Sequence, residues 1–175
     1  MAATVIGMLG NCPEAEDIGQ ETFLRFYKSL DKFRGESSLG TYLTRIAINL
    51  SLNEIKRRQR RRKIFFSNSD DTTENIPDTN STEDQKEVKE IVQMGLQKLE
   101  TKFRVITVLR LINGYSTQET AKILNLPIGT VLSRLARAQI KLREALTPLT
   151  GEWNEKKGER EKHGQKKPGA SLSLT

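Results

Sequence analysis

Apolar residues recur along this chain every three to four positions, in runs broken by polar stretches, and that period is helical. In "EAEDIGQETFLRFYKSL", Ile18, Phe23, Phe26, Tyr27 and Leu30 gather on one side, with Asp17, Gln20, Glu21 and Lys28 opposite. "RGES" interrupts the pattern, Gly35 suiting a helix C-cap and Ser37 or Ser38 the next N-cap. The following helix strings Leu39, Tyr42, Leu43, Ile46 and Leu50 into a core stripe. It turns Arg45, Asn49, Asn53 and Lys56 outward and runs into "KRRQRRRK". After it comes "SNSDDTTENIPDTNSTED", where Ile76 is the sole aliphatic residue, too little burial to offset the entropy of ordering.

Helical periodicity resumes near Gln85. Val88, Ile91, Val92, Leu96 and Leu99 form one amphipathic segment, and "FRVITVLRLI" a more buried one. Asn113-Gly114 signals a turn, and Ser116-x-x-Glu119 is a capping box that opens a short helix, "TQETAKIL". Asn125 tolerates the left-handed conformation that a tight stop requires, and Pro127 suits the first turn of another helix. The expected organisation is therefore all-α: a helical domain over 1–66, a disordered acidic linker over 67–86, a second helical domain over 87–149 and a disordered tail over 150–175.

Two short helices joined by a tight turn are a helix-turn-helix. Ala121 is small where the pair must approach closely. Val131, Leu135, Ala138 and Leu142 make the inward face of the second helix, leaving Thr130, Ser133, Arg134, Arg137 and Lys141 outside. Such a helix can lie in a DNA major groove, where arginine grips guanine O6 and N7 together and lysine further along meets phosphate.

Charge sharpens this picture. The formal net charge of the 175 residues is +7, and residues 42 to 63 hold eight basic side chains against Glu54, a local net of +7. The remainder of the chain sums to zero, so the excess is one block, the footprint of a polyanion binder. The plainer alternative is a solvated helix face. One cysteine (Cys12) and one histidine (His163) exclude a disulfide framework and any metal site needing two cysteines or two histidines. "MAATVIGMLG" is apolar but has no basic leader, and no run is long enough to span a membrane.

At this point the residues carry a resemblance. "GYSTQETAKILNLPIGTVLSRLARAQIKLREAL" resembles region 4 of a bacterial RNA polymerase sigma factor, and "AEDIGQETFLRFYKSLDKFRGESSLGTYLTRIAINLSLNEIKRR" resembles region 2 of the extracytoplasmic-function (ECF) group of the sigma-70 family. The resemblance implies a factor that directs promoter recognition and transcription initiation in the bacterial cytoplasm, without catalysis or cofactor. Its implied partners are core RNA polymerase, through the clamp helices of β′ and the flap of β, and promoter DNA. An anti-sigma factor is a further candidate partner, and no membrane insertion is implied. Region 4 reads the −35 element in the family, a role that falls here to Thr130, Ser133, Arg134, Arg137 and Lys141. Region 2 binds polymerase through its acidic helix, here Asp17, Gln20, Glu21 and Leu24. It also opens the −10 element, where Asn49 would capture a flipped base, Tyr42 and Arg45 would lie close by, and Lys56, Arg57 and Arg58 would grip phosphate. The chain departs from the pattern at Leu132, usually Lys or Arg, and at "MAATVIGMLGN", which matches only the final turns of an upstream helix.

A stand-alone helix-turn-helix regulator is the nearest rival, but it leaves Asp17, Gln20, Glu21 and Asn49 without a role. An enzyme acting on nucleic acid would need clustered carboxylates, and Asp17 and Glu21 lie on a different element from Glu54.

Overall fold

The computed structural model describes residues 1–35, 37–64 and 83–164, with residues 32, 83, 84 and 152–164 described by their backbone alone. The elements in chain order are α1 (Ala2–Leu9), α2 (Pro13–Lys28), a 3-10 turn (Leu30–Lys32), α3 (Leu39–Ile64), α4 (Glu83–Lys98), α5 (Thr101–Thr107), α6 (Thr117–Leu124) and α7 (Ile128–Gly164). Helix α5 runs directly into a π-helical turn, Val108–Ile112, closed by the Asn113 N–H donating to the Val108 carbonyl.

Helix α1 is the hub. Thr4, Val5, Gly7, Met8 and Leu9 are buried, so the helix is covered on most of its circumference. Burying Val5, Met8 and Leu9 contributes about 1.5–3 kcal/mol each. Around them lies one apolar core that draws Cys12, Ala15, Ala47 and Ile48 from the first half of the chain and Val105, Ile106, Val108, Leu109 and Ile123 from the second. The two halves expected as tethered modules thus share a core. A smaller cluster, Leu96, Leu99, Phe103 and Ala138, belongs to the second half alone.

That core resets several faces read from periodicity. In α2 the buried residues are the small Ala15 and Thr22, with Ile18 and Phe26 partly covered, because small side chains let α1 approach closely. Phe23, Tyr27 and Leu30, expected inside, are 54%, 76% and 49% exposed. In α3 the buried face is Thr44, Ala47, Ile48, Leu50, Ser51 and Glu54, while Leu39 is exposed. The helix is gripped on two sides, by α2 and by α1 with α6, so the single stripe captured only part of its covered surface, with Leu50 alone of its members buried. In α4, Leu96 and Leu99 are buried but Val88 and Val92 are exposed. Gly95 instead seats against Leu142 and Leu146 of α7.

Three boundaries also move. Helix α2 ends at Lys28 with Ser29 as its cap, and Gly35 lies beyond the 3-10 turn at φ 70°. Helix α4 begins at Glu83, inside the expected linker, whose residues 67–82 lie outside the described part. Helix α7 passes 150 and reaches Gly164, so that much of the expected tail is helical. Pro148 does not stop it, and its Lys- and Glu-rich continuation favours helix by propensity. Residues 165–175 lie outside the described part.

Candidate nucleic-acid interface

The helix-turn-helix is built as its local signals require. Ser116 Oγ accepts from the Glu119 N–H at 3.2 Å, and Glu119 Oε2 accepts from the Ser116 N–H at 2.8 Å, closing the capping box. Those bonds to Ser116 hold the Glu119 carboxyl below its ordinary pKa. Asn125 stops α6 at φ 52°, the only left-handed non-glycine residue described. The Thr130 and Val131 N–H groups then donate to the Pro127 carbonyl, starting α7. Val131 and Ala138 are fully buried, while Leu135 and Leu142 are partly so. Ser133, Arg137 and Lys141 stand exposed, with Thr130 and Arg134 half-buried beside them. Ser133 Oγ donates to the Thr130 carbonyl at 3.1 Å.

Lys141 is drawn away from this stripe. Its Nζ lies 3.6 Å from Glu100 Oε1 and 5.6 Å from the centroid of the Phe103 ring, over the start of α5. Leu132 is 52% exposed where the family pattern carries a cation.

On α3, Arg45, Asn49, Asn53, Lys56 and Arg60 share an exposed face at steps of three and four residues. Tyr42 is not on it. Its ring meets Phe26 and Phe33 edge-on at 6.1 and 5.1 Å between centroids, and its hydroxyl donates to Ser29 Oγ at 3.1 Å. It therefore braces the α2–α3 corner, the core alternative of its two readings. Arg45 reaches across to α6, where Nη2 donates to the Lys122 carbonyl at 2.8 Å.

Arg58 corrects the expected phosphate grip. Its side chain is 23% exposed and bridges Glu54 at 3.4 Å and Glu14 at 3.1 Å. It also contacts the Leu9 carbonyl and Cys12 Sγ. Arg57 pairs with the buried Glu54 at 2.7 Å while staying half exposed. Burying Glu54 is tolerable only because both guanidiniums meet it. Spacing could have paired Arg58 with Glu54 four residues before it, but its other partners, Leu9, Cys12 and Glu14, lie some forty-five residues away around the α1–α2 turn. Among the described residues no group of three or more His, Cys, Asp or Glu is placed to hold a metal ion.

A third surface lies on α2. Asp17, Gln20 and Leu24 are exposed and Glu21 partly so, paired with Arg25 at 2.7 Å. Phe23 and Tyr27 extend it with apolar area that periodicity had assigned to the core.

An all-α protein with a basic, outward-facing helix-turn-helix and a second polar helix face is a class of DNA-binding protein. Comparison with known proteins narrows the class. Residues 2–61 match the Sigma-70 region 2 family and residues 89–142 the Sigma-70 region 4 family. The ECF RNA polymerase sigma factor SigW of Bacillus subtilis is 36% identical over 152 residues, covering 81% of this chain and 80% of that protein. The RNA polymerase sigma-H factor of Pseudomonas aeruginosa is 31% identical over 156 residues, covering 85% and 81%. Among solved structures, the sigma factor RpoE in complex with the anti-sigma factor NepR from Bartonella quintana superposes with a TM-score of 0.69 at 25% identity, covering 83% of this chain and 89% of that one. CnrH in complex with the cytosolic domain of CnrY gives 0.58 at 26%, covering 84% and 80%. The chain belongs to the ECF group of the sigma-70 family. It is a sigma factor, a protein of promoter-directed transcription initiation.

Proposed function

We propose that this factor joins core RNA polymerase to a promoter through three separate faces and acts by binding alone, without catalysis, in the bacterial cytoplasm. Asp17, Gln20, Glu21 and Leu24 dock on the clamp helices of β′, with Phe23 and Tyr27 as added apolar anchors, an arrangement suited to helix-on-helix contact. Asn49 captures a flipped non-template base of the −10 element through its paired donor and acceptor. Lys56, Arg57 and the exposed run through Lys63 hold backbone phosphate, with Arg58 retained for structure. On α7, Ser133, Arg134 and Arg137, with Thr130, read the −35 element, and Lys141 becomes a phosphate contact once it leaves Glu100. The second module also meets the flap of β. An anti-sigma factor is a natural further partner, since two structural relatives, sigma factor RpoE and CnrH, were solved in complex with NepR and with CnrY.

The observation that carries this reading is that Asn49 and Arg137, on separate helices of the two matched regions, both stand exposed on outward faces. A stand-alone regulator would use α7 but leave the α2 surface without purpose. Run-off transcription with bacterial core polymerase on a pool of upstream genomic fragments tests the proposal. Starts that share two upstream elements are expected, and transcripts independent of the added chain would refute it.

A further inference from the structure

Helix α7 turns an apolar strip outward beside its arginines. Ile128, Leu132, Ala136 and Ile140 recur every four residues and all stand exposed, on a helix with no acid from Ile128 through Arg143. Leu132 sits within the first two turns, the part of such a helix that meets base edges, while Ile140 lies beyond them. Its exposure follows from its phase. Val131 is fully buried, and Leu132 comes roughly 100° further round the helix, off the packed face. The side chains around it are low. A Cβ at Gly129 would meet no neighbour within 4 Å, Ala136 is small, and Ser133 Oγ is folded back onto the Thr130 carbonyl at 3.1 Å. Leu132 therefore stands proud of that flank of the reading turns, with Ile128 one turn before it.

We propose that Leu132 is a specificity-determining residue of this factor, which reads the C5-methyl group of a thymine in the −35 element. Among the four bases, thymine alone offers an apolar group on its major-groove edge. A leucine pressed against it removes both from water, a gain of the size expected for one methyl. Against guanine the same side chain fails. It has no donor, so O6 and N7 would lose water without gaining a bond, and an unmet acceptor is costly. A cation at this position, as the family pattern has it, would prefer guanine instead. The departure at Leu132 thus reverses the base preference rather than merely deleting a contact. Arg137 lies roughly 140° further round the helix, so the two side chains address different base pairs.

The inference rests on the proposed function, and one selection separates the two. Random duplexes are retained on bacterial core polymerase with the full chain added, and the enriched sequences are read. In the enriched duplexes each thymine near −35 is then replaced in turn by deoxyuridine, which lacks only the methyl group. One such exchange should weaken holoenzyme binding about fourfold with the parent chain. It alters the DNA alone, so it needs no variant. Leu132→Ala, made at a half-exposed position, should fold as the parent does and be indifferent to that exchange. Leu132→Arg should select guanine in place of that thymine, by roughly fivefold or more. Enriched duplexes in which no thymine methyl matters would overturn the proposal and leave the functional reading standing. So would a Leu132→Ala chain that remains as sensitive to deoxyuridine as the parent. If Leu132→Ala instead releases the chain from core polymerase with the selected sequences unchanged, the side chain faces protein and the proposal also falls. No enrichment by the parent chain would sink the functional reading itself.

Discussion

Helices α3 and α7 both carry arginines toward the expected DNA, yet they hold that charge in different ways. In α3, Arg58 is held among Glu14, Glu54, Cys12 and the end of α1, Arg57 leans on Glu54, and Arg45 on Lys122. In α7, Arg137 is exposed and Arg134 half-buried, and the helix has no acid from Ile128 through Arg143. A count of cations thus overstates the charge that α3 has free for DNA more than it does for α7, where only Lys141 is drawn off, to Glu100. Position relative to buried carboxylates, rather than density of charge, separates a structural arginine from a recognising one.

The sharpest way to break the comparison is to remove the acid that organises α3. Glu54→Leu leaves two guanidiniums without their buried partner, one of them largely enclosed, and is expected to cost about 3 kcal/mol of folding stability. Thermal unfolding measures it. A melting temperature equal to the parent's would mean that Arg58 is free for phosphate after all. On α7 the opposite pattern is expected. Arg137→Ala should leave the melting temperature alone but lose about 1–3 kcal/mol of duplex promoter affinity, with relaxed specificity at −35. Arg134→Ala should follow, slightly tempered by its partial burial. Fluorescence anisotropy at two salt concentrations separates base readout from phosphate contact. Binding by both variants indistinguishable from the parent would remove α7 as the reading helix.

Asn49→Ala tests α3 where it is exposed. Its expected signature is kinetic: closed complexes form normally, and strand opening slows because a flipped base loses its edge contact. Permanganate reactivity of thymines in the −10 element reports it. Normal reactivity with normal kinetics would move base capture off Asn49.

The contrast between the helices also explains what could be read from sequence. The capping box at Ser116, the stop at Asn125 and the inward Val131 and Ala138 are local devices, each fixed by residues within four positions, and the structure carries them as expected. The family match and the all-helical architecture rest on the same local regularities. Faces of α2 and α3 were legible only in part, because α1 decides them. It is short and packs at once on α2, α3 and the second half of the chain, so no period in α2 could announce that Ala15 and Thr22 would be covered while Phe23 and Tyr27 were not. Arg58 escaped for the same reason. The continuation of α7 escaped for a different one: a charged, then Gly- and Ser-rich composition suggested disorder, whereas helix propensity carried the segment on as far as Gly164.

The smallest effect lies in Glu14, and it separates a structural arginine from a solvated one by pH. Its carboxyl sits below the usual 4.5, chiefly through a hydrogen bond from its own backbone N–H in the first turn of α2 and, against some burial, through the charge of Arg58. A carboxyl with a depressed folded value stabilises the fold above its unfolded value and loses that contribution as pH falls through the folded one. Above pH 4.5, therefore, the parent should be more stable than Glu14→Gln by a constant margin. The margin should shrink as the solution is acidified below that value. Unfolding midpoints in urea between pH 3 and pH 7 provide the measurement, roughly the range across which carboxyl linkage acts. A margin that stays flat to the acid end would show that the Glu14 charge does not help hold Arg58, leaving Glu54, Cys12 and the Leu9 carbonyl as its partners.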